Sequence, residues 1–184
     1  MKEIRVTDLL ICRQFVPPPF LEAKAIFGKL MHEKIESEIE FEGCEKEFDI
    51  EIELDDVLLK GRIDIVCLDT NVIYEIKPKA KNKEQFKRYV LQTQLYGNMY
   101  ERLYGVKPEL FIVFYENNSV FKQKIWYVDI LTKMERDIKD LANLLSNGKV
   151  YMRNPFCGIC EVRNTCPLYN MYHDRQILFI RYSD

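Results

Sequence analysis

Gly61-Arg62-Ile63-Asp64-Ile65-Val66-Cys67-Leu68-Asp69-Thr70-Asn71-Val72-Ile73-Tyr74-Glu75-Ile76-Lys77-Pro78 is the stretch that decides how this chain folds. Two apolar, β-branched runs flank Asp69-Thr70-Asn71, a turn signal, so the stretch predicts neighbouring strands over Val57 to Leu68 and Val72 to Lys77, with Pro78 ending the second. Side chains alternate along a strand, so Glu75 and Lys77 project from one face and Ile76 from the other. Asp64 breaks an otherwise apolar run, and an acid in that setting costs free energy unless something positive meets it. Adjacent strands can bring Asp64, Glu75 and Lys77 together. Two carboxylates and a lysine at strand ends suit a hard divalent cation bound through oxygen, with the ammonium beside an attacking water. Such a set suits phosphodiester hydrolysis, in which the cation polarises the phosphoryl oxygen and acidifies water while the lysine stabilises developing charge.

Outward from this pair the periodicity predicts the remaining elements. Upstream, Phe48, Ile50, Ile52 and Leu54 alternate with Asp49, Glu51 and Glu53, a strand with one wet face that turns at Asp55-Asp56. Before it a helix from Phe20 to about Glu36 carries Ala23, Ile26, Phe27 and Leu30 on a core-like stripe, with Gly28, His32 and Ile35 on the adjoining one. Thr7-Asp8 caps a short helical turn through Cys12, and Pro17-Pro18-Pro19 separates the two. Downstream, a long helix from Lys83 to Tyr104 buries Leu91, Leu95, Met99 and Leu103 and stops at Gly105. Leu110 to Tyr115 and Val120 to Val128 form a second strand pair about Asn117-Asn118. Asp129 caps a helix bearing Leu131, Met134, Ile138, Leu141 and Leu145. A cysteine-bearing loop, Pro155 to Tyr169, and a strand-like piece at Ile177 to Ile180 complete the chain. The order predicts an α/β fold, a central mixed sheet flanked by helices, with a small appended cluster.

Three features strengthen the catalytic reading. His32 follows Gly28 by one helical turn, and its imidazole suits manganese beside carboxylates. Gln92 and Tyr96 stack at i, i+4 beside the buried stripe, where an amide and a phenol can hold a phosphate or stack a base. Lys79, Lys81, Lys83, Lys87 and Arg88 lie where a phosphate backbone would leave the site. A second constellation is Cys157-Gly158-Ile159-Cys160 followed by Cys166-Pro167, three thiolates that need one more ligand. Cys12, Cys44, Cys67 and His173 are the candidates. Cys67 reads as a small core residue and Cys44 sits in an acidic field that disfavours a thiolate. Cys12 can return to the C-terminal knot and clasp the chain ends together. The spacing leaves both zinc, with His173, and an iron-sulfur cluster open.

Of the 184 residues 47% are hydrophobic and 30% charged, which argues against both a disordered chain and a membrane-embedded one. The start lacks the apolar run of a signal peptide, so a cytoplasmic protein is expected, with its cysteines as thiols or metal ligands rather than disulfides. The net charge of -2 looks wrong for a nucleic-acid partner. It conceals a polarised chain: Glu33 to Asp56 alone carries -10 and the rest +8. The acidic segment is expected to face away from DNA or to meet a basic partner.

Taken together, Cys12, Gly28, His32, Gly61-Arg62-Ile63-Asp64, Glu75-Ile76-Lys77, Gln92 to Tyr96, and Cys157, Cys160 and Cys166 resemble the CRISPR-associated RecB-like exonucleases, the Cas-four family of the PD-(D/E)XK nuclease superfamily. The likeness spans almost the whole chain. The superfamily's Pro before the Asp is Ile63 here, as is usual in the RecB-like branch. The resemblance implies a single 1–184 domain with a nuclease core over 13–148, and an iron-sulfur knot that joins 1–12 to 149–184. It implies a metal-dependent exonuclease acting on single-stranded DNA or DNA ends with overhangs, 5′ to 3′, and trimming prespacers beside the CRISPR integrase subunits. His32, Asp64, Glu75 and the Ile76 carbonyl would hold Mn²⁺ or Mg²⁺, with Asp64, Glu75 and Lys77 catalytic. Gln92, Tyr96, Lys81, Lys83, Lys87 and Arg88 would handle DNA. Cys12, Cys157, Cys160 and Cys166 would bind [4Fe-4S], with [2Fe-2S] an alternative. The competing expectation is a non-catalytic DNA-end-binding or recombination/repair subunit with a structural zinc or iron-sulfur site.

Overall fold

A computed structural model describes residues 1–13, 17–38, 43–116, 119–147, 159–161 and 164. The order is β1 (Lys2–Arg5), a 3₁₀ turn (Val6–Leu9), α1 (Pro19–Glu38), β2 (Glu45–Leu54), β3 (Val57–Cys67) and β4 (Val72–Pro78), then α2 (Lys83–Tyr104), β5 (Glu109–Glu116), β6 (Ser119–Ile125) and α3 (Leu131–Ser146). The predicted α/β fold is present as one six-stranded mixed sheet with helices on both faces. Among the described residues no helix is long and apolar enough to cross a membrane.

The sheet forks at β3. One edge of β3 pairs antiparallel with β2 along almost its whole length, from Leu54/Val57 to Glu45/Val66. Two strands share the other edge: parallel β1, which ends at Arg5/Lys60, and antiparallel β4, which begins at Tyr74/Ile65. Between them Gly61 to Asp64 face a notch instead of a strand. Past the notch β4 continues parallel to β5 as far as Pro78/Tyr115, and β5 pairs antiparallel with β6. β1 is absent from the predicted elements because Lys2 to Arg5 holds one fully buried side chain, Ile4.

The larger core lies between the sheet and the helices α2 and α3, with Leu95, Met99, Tyr100, Ile138 and Leu141 packed on Ile52, Leu59, Ile63 and Ile112. α2 begins where the Asn82 carboxamide accepts the Gln85 N–H at 2.9 Å and ends at Gly105, whose φ of 73° is left-handed. The buried Asn98 carboxamide accepts the N–H groups of Ile130 and Leu131 at 2.8 and 2.9 Å, so α2 caps the start of α3. Asp129 adds a bond to the Thr132 N–H. Leu103, expected in the core, is exposed, and Tyr96 and Tyr100 are buried in its place.

α1 covers the opposite face and corrects the predicted stripe. Ile26, Phe27 and Leu30 are exposed, whereas Ile35 and the partly buried Met31 pack on Ile65, Ile76, Val113 and Tyr115. Two apolar stripes competed, and the helix presents the one that also turns His32 toward the sheet.

Cys44 and Cys67 form a disulfide, which corrects the expectation of six thiols or metal ligands. The cause is register: Glu45 faces Val66, so one step further places residue 44 opposite 67. The link closes the hairpin at the end away from its Asp55-Asp56 turn. Joining residues 23 apart removes chain entropy from the unfolded state. Replacing both cysteines by serine is therefore expected to lower unfolding free energy by about 3 kcal/mol, measured by urea titration.

Candidate active site

The site stands where the β3–β4 ladder stops. Beyond Ile65/Tyr74 the strands separate, and side chains replace the missing main-chain partners. Asp64 Oδ2 accepts the Ile76 N–H at 2.6 Å, and Glu75 Oε1 accepts the Asp64 N–H at 3.3 Å. The two carboxylates thus stitch the strand ends together. Lys77, on the same strand face as Glu75, closes the group: its Nζ is 2.7 Å from Glu75 Oε2 and 3.5 Å from Asp64 Oδ2. The predicted convergence of Asp64, Glu75 and Lys77 is what the fold builds.

Glu75 is 0% exposed, and its Oε2 faces the ammonium without the alignment of a hydrogen bond. Burial, with the Asp64 charge alongside, pushes the Glu75 carboxyl up to about 8 against the pull of Lys77. Burial also works against the charge on Lys77, but Glu75 and Asp64 more than offset it and hold the ammonium above the usual lysine range. From α1, His32 Nδ1 reaches to 4.0 Å from Asp64 Oδ1, and the ring meets the Ile76 main chain. Burial keeps His32 below the usual imidazole range despite Asp64, which favours the neutral, ligating form. A Cβ at Gly28 would meet the Tyr115 hydroxyl at 3.5 Å, an ordinary contact, so the packing here does not demand glycine.

Among the described residues no three His, Cys, Asp or Glu side chains converge as a metal cage. The lysine supplies the positive charge between the carboxylates. The donor set nonetheless fits a hard divalent cation: one buried carboxylate oxygen lacks a hydrogen bond, a second carboxylate is adjacent, and a neutral imidazole stands beside it.

A cleft of about 800 Å³ opens from Asp64 through the notch, lined by Arg5, Thr7, Gly61, Arg62, Gln92 and Tyr96 among others. Gly61 is required here, since a Cβ would stand 2.4 Å from the Tyr96 ring. Tyr96 stands at the inner wall of this cleft. It is 2% exposed, its ring lies on Gly61, and its hydroxyl accepts the Gln92 amide at 3.1 Å, so it holds Gln92 in place. Gln92 is half-buried and reaches the cleft.

Lys81, Lys83 and Lys87 are exposed and Arg88 half-buried, grouped around the start of α2. Lys87 pairs with Glu84 at 2.9 Å, a surface contact worth little. The acidic segment does not simply face away. Asp49 holds Arg62 at 2.8 Å, Asp55 holds Lys139 at 2.5 Å and Asp56 holds Lys2 at 2.6 Å, while Asp49 and Glu51 line the cleft itself. Its basic partners lie within this chain.

Cys12 and Cys160 are both buried. Asp8 fixes the Cys12 segment by accepting from the Arg13 guanidinium at 2.7 and 2.5 Å and from the Arg5 N–H at 2.7 Å. Cys157, Cys166, His173, the Asn117-Asn118 turn and the strand-like Ile177 to Ile180 lie outside the described residues.

The sequence reading missed two phenols. Tyr89 and Tyr115 both feel Lys77, and Tyr115 also feels Asp64; burial holds each hydroxyl above the usual tyrosine range. The signal for Tyr89 was present, because Gln85 and Tyr89 repeat the Gln92/Tyr96 spacing one heptad earlier.

The model of the PD-(D/E)XK nuclease superfamily matches residues 11–167. No curated protein matches in sequence. The solved structure of SSO0001 is similar with a TM-score of 0.65 at 20% identity, over 92% of this chain and 87% of that one. A candidate exonuclease from Eubacterium rectale is similar with a TM-score of 0.50 at 17% identity, over 88% of this chain and 63% of its own. At such identities the likeness is one of fold.

Proposed function

The chain belongs to the PD-(D/E)XK nuclease superfamily, whose enzymes use divalent metals, and from this premise we propose that it hydrolyses single-stranded DNA from an end, 5′ to 3′, with Mn²⁺ or Mg²⁺. The observation that carries the reading is the Asp64, Glu75 and Lys77 cluster at the separated ends of β3 and β4. Asp64, Glu75, His32 and the Ile76 carbonyl would hold the cation, which when bound polarises the phosphoryl oxygen and acidifies water. Glu75 anchors the Asp64 backbone, and Asp64 in turn anchors that of Ile76, so the donors are fixed before substrate arrives. Lys77, held charged by Glu75 and Asp64, places positive charge where the scissile phosphate gains negative charge. Gln92 faces the cleft as a polar contact for the strand, and Lys81, Lys83, Lys87 and Arg88 attract its backbone.

The reading extends to a Cas-four-type role beside the CRISPR integrase subunits and to one iron-sulfur cluster on Cys12, Cys157, Cys160 and Cys166, with [4Fe-4S] preferred. Supporting it are the cysteine spacing, the Cys166-Pro167 pair and the burial of Cys12 and Cys160. Within a single 1–184 domain, 13–148 is read as the nuclease core and 149–184 as the partner of 1–12, a segment that supplies both β1 and Cys12. The cluster's part is structural, since none of the catalytic side chains belongs to it.

End-labelled single-stranded DNA incubated with Mn²⁺ is expected to shorten with wild-type protein and to stay intact with Asp64→Ala. Equal degradation by both would assign the activity to a contaminant. Salt-dependent DNA binding without cleavage would leave only an end-binding subunit.

A further inference from the structure

α2 carries a polar ladder toward the site. Gln85, Tyr89, Gln92 and Tyr96 fall at i, i+4, i+7 and i+11, one helical stripe about 16 Å long at 1.5 Å per residue. Its two halves are built alike: the Gln85 amide donates to the Tyr89 hydroxyl at 2.5 Å and the Gln92 amide to the Tyr96 hydroxyl at 3.1 Å. They differ in access. Tyr96 is buried under Gly61, whereas Tyr89 and Gln85 are half-buried and lie at the end of the helix where the lysines gather.

We infer that Gln85 and Tyr89 form a second subsite, which holds a non-bridging phosphate oxygen of the nucleotide next to the scissile one. The inference rests on the nuclease reading above and deepens it. Gln85 is fixed at both ends, because its Oε1 accepts the Lys81 N–H at 2.9 Å and its main-chain N–H is taken by the Asn82 cap. Its Nε2 therefore occupies the lone pair of the Tyr89 oxygen and leaves the phenol's own proton to donate. The Tyr89 ring packs at a tilt against Phe114, with centroids 6.3 Å apart, and is partly buried against the core, so the hydroxyl is its working end. That hydroxyl has Lys77 and Arg88 as positive neighbours, a setting for an anion and not for a base. The ladder's length accommodates more than one nucleotide, each advancing a stacked strand by about 3.4 Å.

The test is fluorescence anisotropy of a labelled 12-nucleotide single strand in EDTA, where nothing is cleaved. Tyr89→Phe keeps the ring on Phe114 and removes only the hydroxyl; it is expected to raise Kd about tenfold, the size of one hydrogen bond to a charged group. Strands with a single neutral methylphosphonate at successive positions supply the second arm. At one position next to the scissile phosphate the substitution should weaken wild type and leave Tyr89→Phe unchanged, because the shared contact is lost only once. Equal losses in both proteins at every position would overturn the subsite while leaving the nuclease intact. Wild-type protein that neither binds the strand nor cleaves it with Mn²⁺ would overturn the nuclease reading and the subsite together.

Discussion

Lys77→Met is expected to reduce strand cleavage by about 10²–10³-fold, the scale of removing one preorganised stabiliser of transition-state charge. The methionine matches the lysine stem, so the packing survives and the charge alone goes. Lys77 stands 2.7 Å from Glu75 and 3.5 Å from Asp64, and no other ammonium or guanidinium pairs with either carboxylate among the described residues. The effect should appear in single-turnover rates at saturating Mn²⁺, and a variant rate close to wild type would remove Lys77 from the chemistry. A stability signature accompanies it. Without the ammonium, burial and the Asp64 charge raise the Glu75 pKa against only the Asp64 N–H, which lowers it, so the pKa climbs further. A carboxyl whose folded pKa lies above its unfolded value favours the folded state at low pH, and that advantage is lost as pH rises from the unfolded toward the folded value. The urea midpoint of Lys77→Met should therefore run parallel to that of wild type from about pH 5 to 7 and keep falling above pH 8, where the Glu75 contribution in wild type levels off.

Mn²⁺ affinity is expected to fall about tenfold for each pH unit below the Glu75 midpoint, which lies at about 8. A cation needs the ionised carboxylate, and one proton must leave Glu75 to supply it. Lys77 does not contribute to this slope, since its pKa lies above the usual lysine range and it stays charged throughout. Isothermal titration at pH 6, 7 and 8 in buffers of different ionisation enthalpy should show proton release on binding, larger at pH 6 than at pH 8. Affinity that is flat across this range would mean that Glu75 is already ionised, or that it is no ligand. Glu75→Gln separates these outcomes: it should bind weakly and lose the pH slope.

The convergence of Asp64, Glu75 and Lys77 was legible because it is local. Asp64, Glu75 and Lys77 sit on two strands joined by a three-residue turn, and strand alternation alone aligns Glu75 with Lys77. The long helix α2 was legible from its periodicity and from the Gly105 stop. Features that depend on distant packing were harder to read. α1 offered two apolar stripes, and only the sheet it meets selects Met31 and Ile35 over Ile26, Phe27 and Leu30. The Cys44–Cys67 link requires the hairpin register, which composition does not give, and the expectation of a reducing compartment pointed the other way. The burial of Tyr96 was not legible, because an i, i+4 pair shows which residues are neighbours but not which of them is buried. The burial is set by Gly61, thirty-five positions earlier, whose missing side chain admits the ring.

The hairpin that carries Asp64 is a covalent ring, closed by its own turn at one end and by the Cys44–Cys67 bond at the other. Asp64 lies three residues from that bond, inside the ring. If β3 parts from β1 or β4, β2 must travel with it as a single body, and the aspartate cannot fray away as the end of a lone strand. The two lips of the notch therefore differ mechanically: the β3 lip is a tethered loop, whereas the β4 lip, which bears Glu75 and Lys77, is held beyond Tyr74 by β5 and by the contacts it shares with Asp64.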